Sequence, residues 1–193
     1  MARAPLSPDA VVDLALRIVD EEGPDALTLS AVAGRAGVAT PSLYKHVRNL
    51  AELRVLVSGR VLGELTEVAS EAVLGRSGDE ALRALMDGWR SYAARHPHRY
   101  SALIQSPRPE TAEAGDRLIG IILAALRAYG LEGSAAIHAV RCLRAAMHGF
   151  AVLEAAGAFQ LGEDLDESHA LLAHMVVSGL RTLPRTARPG PDA

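Results

Sequence analysis

A single cysteine, Cys142, is the first scarcity in this 193-residue chain, and it rules out both an intramolecular disulfide and a cysteine-rich metal site. A reducing cytoplasm is the location expected from that. Lysine is nearly absent as well: Lys45 stands alone among 20 basic residues, and with the many alanines this bias points to a GC-rich, bacterial host. No unbroken apolar run approaches the roughly 20 residues of a membrane span. The N-terminus also lacks the basic, apolar and cleavage regions of a signal peptide, so a soluble protein with no membrane partner is expected.

What is present suffices for a substantial core, since 49% of the residues are hydrophobic. The formal net charge of −3 is unevenly spread. Between Ser30 and Arg60 the basic residues Arg35, Lys45, Arg48, Arg54 and Arg60 face one acid, Glu52. That segment holds whatever affinity for anions the chain has.

Apolar residues recur at helical spacing nearly throughout, and the alternation of a half-buried strand never develops, so an all-α fold of about nine helices is expected. Ser7 is a good N-cap with Pro8 in the first turn, and the helix it opens presents Val12, Ala15, Leu16 and Val19 before Gly23-Pro24. A short second helix follows Thr28, with Ala31, Val32 and Ala33 inside and Arg35 outside, and stops at Gly37. A third starts near Thr40 with Pro41 just inside it. Two short helices joined by a glycine-bearing turn form the helix-turn-helix motif, whose last helix enters the major groove of double-stranded DNA. There Leu43 and Val47 anchor the helix, leaving Thr40, Ser42, Tyr44, Lys45 and His46 for phosphates and base edges.

The stretch from Gly23 to Leu53, GPDALTLSAVAGRAGVATPSLYKHVRNLAEL, resembles the DNA-binding domain of the TetR (tetracycline repressor) family. The resemblance rests on Leu27-Thr28, Val32-Ala33, Ala36-Gly37-Val38, Ser42-Leu43-Tyr44 and His46-Val47, all in register. It implies that Thr28 and Ser30 touch phosphate and that Thr40, Pro41, Ser42, Tyr44, Lys45 and His46 form the recognition surface. One residue departs from the family pattern. Many members carry a phosphate-binding lysine where this chain has Leu50, and either Arg48 or Arg54 is a candidate to replace it.

A long helix is expected from the N-cap Asn49 to about Leu74, and the resemblance makes it the transmitter of ligand binding to the DNA module. Five further helices are expected, with breaks near His96-Pro97, Ser106 to Pro109, Gly130 to Ser134 and Gly157 to Asp166. The stretch around Trp89, Tyr92 and Tyr100, with His148-Gly149-Phe150 and Phe159, resembles a C-terminal domain type of TetR regulators identified by a tryptophan and a His-Gly pair. Aromatics make up only 4% of the chain yet concentrate here. Met86, Trp89, Tyr92, Tyr100, His138, Met147, His148, Phe150 and Phe159 are therefore the candidate lining of a small-molecule effector site. Each has an ordinary alternative as core, and His148-Gly149 as a close helix contact.

The last two helices, about Ser134 to Ala156 and Asp166 to Leu183, carry Ala135, Ala139, Ala145, Ala146, Leu171, Leu172, Met175, Val176 and Leu180. The resemblance makes them a homodimer interface, with closure of the monomer's own core as the ordinary alternative, and a twofold dimer suits a palindromic operator. The expected division is residues 1–50 as helix-turn-helix domain, 51–183 as connector and ligand-binding domain, and 184–193 as a disordered tail.

Catalysis is not expected. His169 and His174 are five apart and miss the i, i+4 spacing of two ligands on one helix face. No phosphate-cradling loop, nucleophile elbow or cofactor motif occurs, and Cys142 falls within an apolar helix. The reading is a homodimeric repressor released from its operator by a small molecule. Its rival is a dimeric interaction module with a vestigial helix-turn-helix, which Leu50 alone favours.

Overall fold

The computed structural model describes residues 6–103 and 108–183, and among these it holds eight α-helices, four short 3-10 turns and no strand. The tail from 184 and part of the expected break at Ser106 to Pro109 lie outside the described residues. The chain forms two compact units. One gathers the residues up to Glu64 with Arg95–Gly115, and the other gathers Leu65–Ala94 with the residues from Asp116 onward.

In the first unit, α1 (Pro8–Glu22) starts where the Ser7 hydroxyl accepts the Ala10 N–H at 3.2 Å, satisfying one of the orphan donors of a helix start. Its buried stripe is wider than the four expected positions, because Val11 and Ile18 are buried too. The next helix, α2 (Leu29–Ala36), is capped in the same way by Thr28, whose Oγ1 accepts the Ala31 N–H at 3.1 Å. Gly37 then ends it at φ 64°, where its N–H reaches the Ala33 and Gly34 carbonyls; a side chain there would be strained.

The following segment, Thr40–Lys45, is a 3-10 helix rather than the expected α-helix. Its i→i+3 hydrogen bonds close a short, tighter turn between α2 and the helix that follows. The Ser42 N–H accordingly reaches the Ala39 carbonyl at 2.9 Å and the His46 N–H that of Leu43 at 2.8 Å. Long helix α3 (Leu50–Val73) then begins with the Glu52 N–H on Asn49 Oδ1 at 2.9 Å. Short helix α5 (Pro97–Ser101) is fastened to this unit by Arg99, which bonds Asp20 of α1 and, at 2.9 Å, Glu64 of α3.

The second unit contains most of α4 (Gly78–Arg95), of α6 (Ala112–Leu126), and all of α7 (Gly133–Ala155) and α8 (Leu165–Thr182). Gly88 lets α4 approach α3 closely, since a Cβ there would sit 3.1 Å from Val68 Cγ1. Gly149 is different. A Cβ on it would meet nothing within 4 Å, so it mediates no close helix contact among the described residues.

A polar clamp joins three elements of this unit. Arg90 on α4 donates to both carboxylate oxygens of Glu154 on α7, at 2.8 and 2.6 Å, and to Asp166 on α8 at 2.7 Å. Its guanidinium also lies 5.3 Å over the Phe150 ring. The Glu154 hydrogen bonds raise the Arg90 pKa, holding the guanidinium charged. Replacing Arg90 by alanine would leave the mostly buried Glu154 carboxylate without its cation. We expect a loss of about 2 kcal/mol in a thermal or denaturant melt, read as a Tm drop of roughly 4–8 °C. An unchanged Tm would show the clamp to be energetically idle.

Candidate functional site

The helix-turn-helix residues divide by exposure. Leu43 is completely buried and Val47 nearly so, whereas Tyr44 is 56% exposed and Pro41 and Lys45 stand in solvent; Thr40, Ser42 and His46 are half-buried. Two apolar anchors thus hold a turn whose other side chains form a surface. Thr28 and Ser30 are exposed at the start of α2, and although Thr28 Oγ1 already accepts a hydrogen bond, its hydroxyl proton remains free for an outside acceptor.

The basic excess of this segment proves largely neutralised inside the chain. Arg35 pairs with Glu21 and Glu22 at 2.6 and 2.7 Å, Arg60 with Asp13 at 2.9 Å, and Arg48 with Glu52 at 2.9 Å. Hydrogen bonding from Arg48 holds the Glu52 carboxyl below its usual range. Three of the partners, Glu21, Glu22 and Asp13, lie upstream of the basic segment and could be assigned only once α1 was seen beside it.

Of the candidate effector residues, Met86, Trp89 and Tyr92 on α4 and Met147 and Phe150 on α7 are buried in the second unit. His148 is half-buried, and burial, with Arg144 nearby, lowers its pKa. Phe159 follows α7 and packs on Phe150 with ring centroids 5.1 Å apart, while His138 is exposed on α7. Tyr100 is buried on α5 in the first unit, so the structure does not bring it into the unit that holds the others.

Sequence reasoning missed His169 as part of this cluster. Its ring meets Phe150 edge-on at 5.1 Å, Asp87 lies 3.4 Å from its Nδ1, and burial followed by the Arg90 charge lowers its pKa. Burial and the Arg90 charge favour the neutral ring against the opposing pull of Asp87. Between the lowered folded value and the ordinary 6.5 of an unfolded histidine, the unfolded chain binds more protons, so stability falls as pH drops through that window. A pH series of melts should show that loss, and His169→Phe should reduce it while leaving the share due to His148; an identical slope in the variant would remove His169 as a source.

Comparison with known proteins agrees with this geometry over both units. Residues 11–54 match the model for bacterial regulatory proteins of the tetR family, and residues 82–176 match a tetracyclin repressor-like C-terminal domain. The uncharacterized HTH-type transcriptional regulator Rv0681 of Mycobacterium tuberculosis is 36% identical over 90% of this chain and 80% of its own. The uncharacterized HTH-type regulator YobS of Bacillus subtilis is 33% identical over 92% and 94% of the two chains. Apo ActR of Streptomyces coelicolor, 24% identical, superposes with a TM-score of 0.73 over 93% of this chain and 97% of its own. A TetR variant from Acinetobacter baumannii in complex with minocycline, 19% identical, superposes at 0.72 over 95% and 100%. With both units matched in this way, the chain belongs to the tetR family of bacterial regulatory proteins and is a helix-turn-helix transcriptional regulator, not an enzyme.

Proposed function

We propose that this regulator is a cytoplasmic homodimeric repressor that occupies a palindromic operator and is released when a small molecule binds the second unit. The observation that carries the DNA half is the exposed pair Tyr44 and Lys45 on a turn pinned by buried Leu43 and Val47. Thr28, Ser30, Thr40, Pro41, Ser42 and His46 complete the proposed surface, with hydroxyls and an imidazole for phosphates and base edges. Two such surfaces related by a twofold axis would read the two halves of a palindrome.

The dimer is proposed through α7 and α8. Exposed Leu171 and Met175 share one face of α8, and exposed Ile137, Val152 and Leu153 lie on α7. Such apolar exposure at helical spacing is best understood as surface awaiting a partner. The effector is proposed to bind in the second unit, where buried Met86, Trp89, Tyr92 and Met147 and half-buried His148 offer apolar side chains with a few polar groups. Minocycline in the Acinetobacter protein, and actinorhodin in a complex with ActR, are bound by proteins of this fold. Ligand can shift the equilibrium only by its difference in affinity for the DNA-competent and released states.

The test is binding of the purified protein to labelled duplexes across a salt series. Affinity that falls steeply with salt is the expected result, as phosphate contacts release counterions. Folded protein that binds no duplex at low salt would overturn the proposal. For the effector half, Trp89 is the sole tryptophan and reports locally. A compound that dissociates the DNA complex should change Trp89 emission and bind more weakly to Trp89→Phe; release with neither effect would put the site elsewhere.

A further inference from the structure

Three of the four arginines between Ser30 and Arg60 are held by carboxylates of the chain: Arg35 by Glu21 and Glu22, Arg48 by Glu52 and Arg60 by Asp13. The fourth, Arg54, has no ion pair or hydrogen bond among the described residues, and neither has Asp25. These two opposite charges nevertheless share one open cleft of about 250 Å³ inside the first unit.

Three segments build that cleft. Pro24, Asp25 and Leu27 come from the connection between α1 and α2, Arg54 and Val57 from the start of α3, and Ser101 and Ala102 from the end of α5. Leu27 and Val57 are almost fully buried and give an apolar floor, whereas Asp25, Arg54 and Ser101 are exposed and give a polar rim. The Ser101 hydroxyl donates to the His98 carbonyl at 2.8 Å, which leaves its oxygen lone pairs for an outside donor. The rim thus presents acceptors on Asp25 and Ser101 and the forked donor of Arg54, with no net charge.

A small anion matched to Arg54 would also face the Asp25 carboxylate, and a small cation matched to Asp25 would face the Arg54 guanidinium. A molecule carrying both charges satisfies both, and an aliphatic group on it would cover the apolar floor. A cleft of about 250 Å³ has room for about eight water molecules at roughly 30 Å³ each, the scale of one amino acid and below that of a drug-sized pocket.

We propose that this cleft is a second small-molecule site, in the helix-turn-helix unit itself, for a free aliphatic amino acid. Its carboxylate takes Arg54, its ammonium takes Asp25 and Ser101, and its side chain lies on Leu27 and Val57. The site is separate from the effector site proposed for the second unit and does not rest on it. A ligand held there ties the residues that lead into the Thr28 cap of α2 to the start of α3 and the end of α5.

The experiment is a thermal-shift titration of the full chain with L-valine, L-leucine and L-methionine. Two analogues run beside them, 4-methylpentanoate and 3-methylbutylamine, each keeping the leucine side chain and only one of its charges. At least one amino acid should raise the Tm saturably, by about 3–6 °C at a tenfold excess over its Kd. The analogues should bind about tenfold more weakly, and so should the amino acid to Arg54→Gln or Asp25→Asn. In wild type, the Leu27 and Val57 methyl NMR signals should move along the same saturation curve. No saturable shift with any of the three amino acids overturns the proposal. Binding that the analogues match, that either variant keeps, or that leaves both methyl signals unmoved overturns it as well.

Discussion

Changing Tyr44 and Lys45 together to alanine is expected to weaken operator binding by about 3 kcal/mol, or roughly 10²-fold, while leaving the protein folded and dimeric. The magnitude follows from contacts worth about 1–3 kcal/mol each, made once in each half-site and not fully additive. The selectivity follows from exposure: both side chains project from a turn whose packing belongs to Leu43 and Val47, so truncation removes DNA contacts and no core. Titration of labelled operator, with sedimentation to check the dimer, measures both. Unchanged operator affinity in the double variant would remove the Thr40–Lys45 turn as the recognition surface.

Placing glutamate at both Leu171 and Met175 is expected to give a monomer. These residues are 59% and 61% exposed and one helical turn apart on α8, so in an isolated chain the substitutions meet water and cost little. In a dimer interface they would bury four charges near the twofold axis without partners, a cost of several kcal/mol. Loss of the dimer also removes simultaneous binding of two half-sites, and operator affinity should fall by about 10² or more. Sedimentation of the variant as a dimer at micromolar concentration would show that α8 faces solvent in the assembly.

The contrast between these two faces indicates what a sequence can reveal. Caps are local, and Ser7, Thr28, Gly37 and Asn49 marked helix ends because each bonds backbone within about four residues of itself. The six-residue recognition turn was legible in position, from Pro41 and the apolar pair Leu43 and Val47, but not in its 3-10 pitch. Interface candidates were legible only in part: Ala139 and Leu180 prove buried within their own unit, whereas Leu171 and Met175 face out.

Charge partners were the least legible feature. The Arg90 clamp spans 64 residues to Glu154, and the Arg35 pairs cross between two helices, so a local count of charges overstated the free positive charge of the DNA module. Tyr100 was grouped with Trp89 by nearness in sequence, but the chain turns at Pro97 and buries it in the other unit.

The measurement that tests the account most directly is selection of bound sequences from a random duplex library with the purified protein, at low and at near-physiological salt. The account predicts enrichment of a palindrome whose half-sites lie about one helical turn apart, with enrichment abolished in the Tyr44, Lys45 double variant. Folded dimer that enriches no sequence at either salt would contradict it, and would leave a dimeric interaction module whose helix-turn-helix no longer reads DNA.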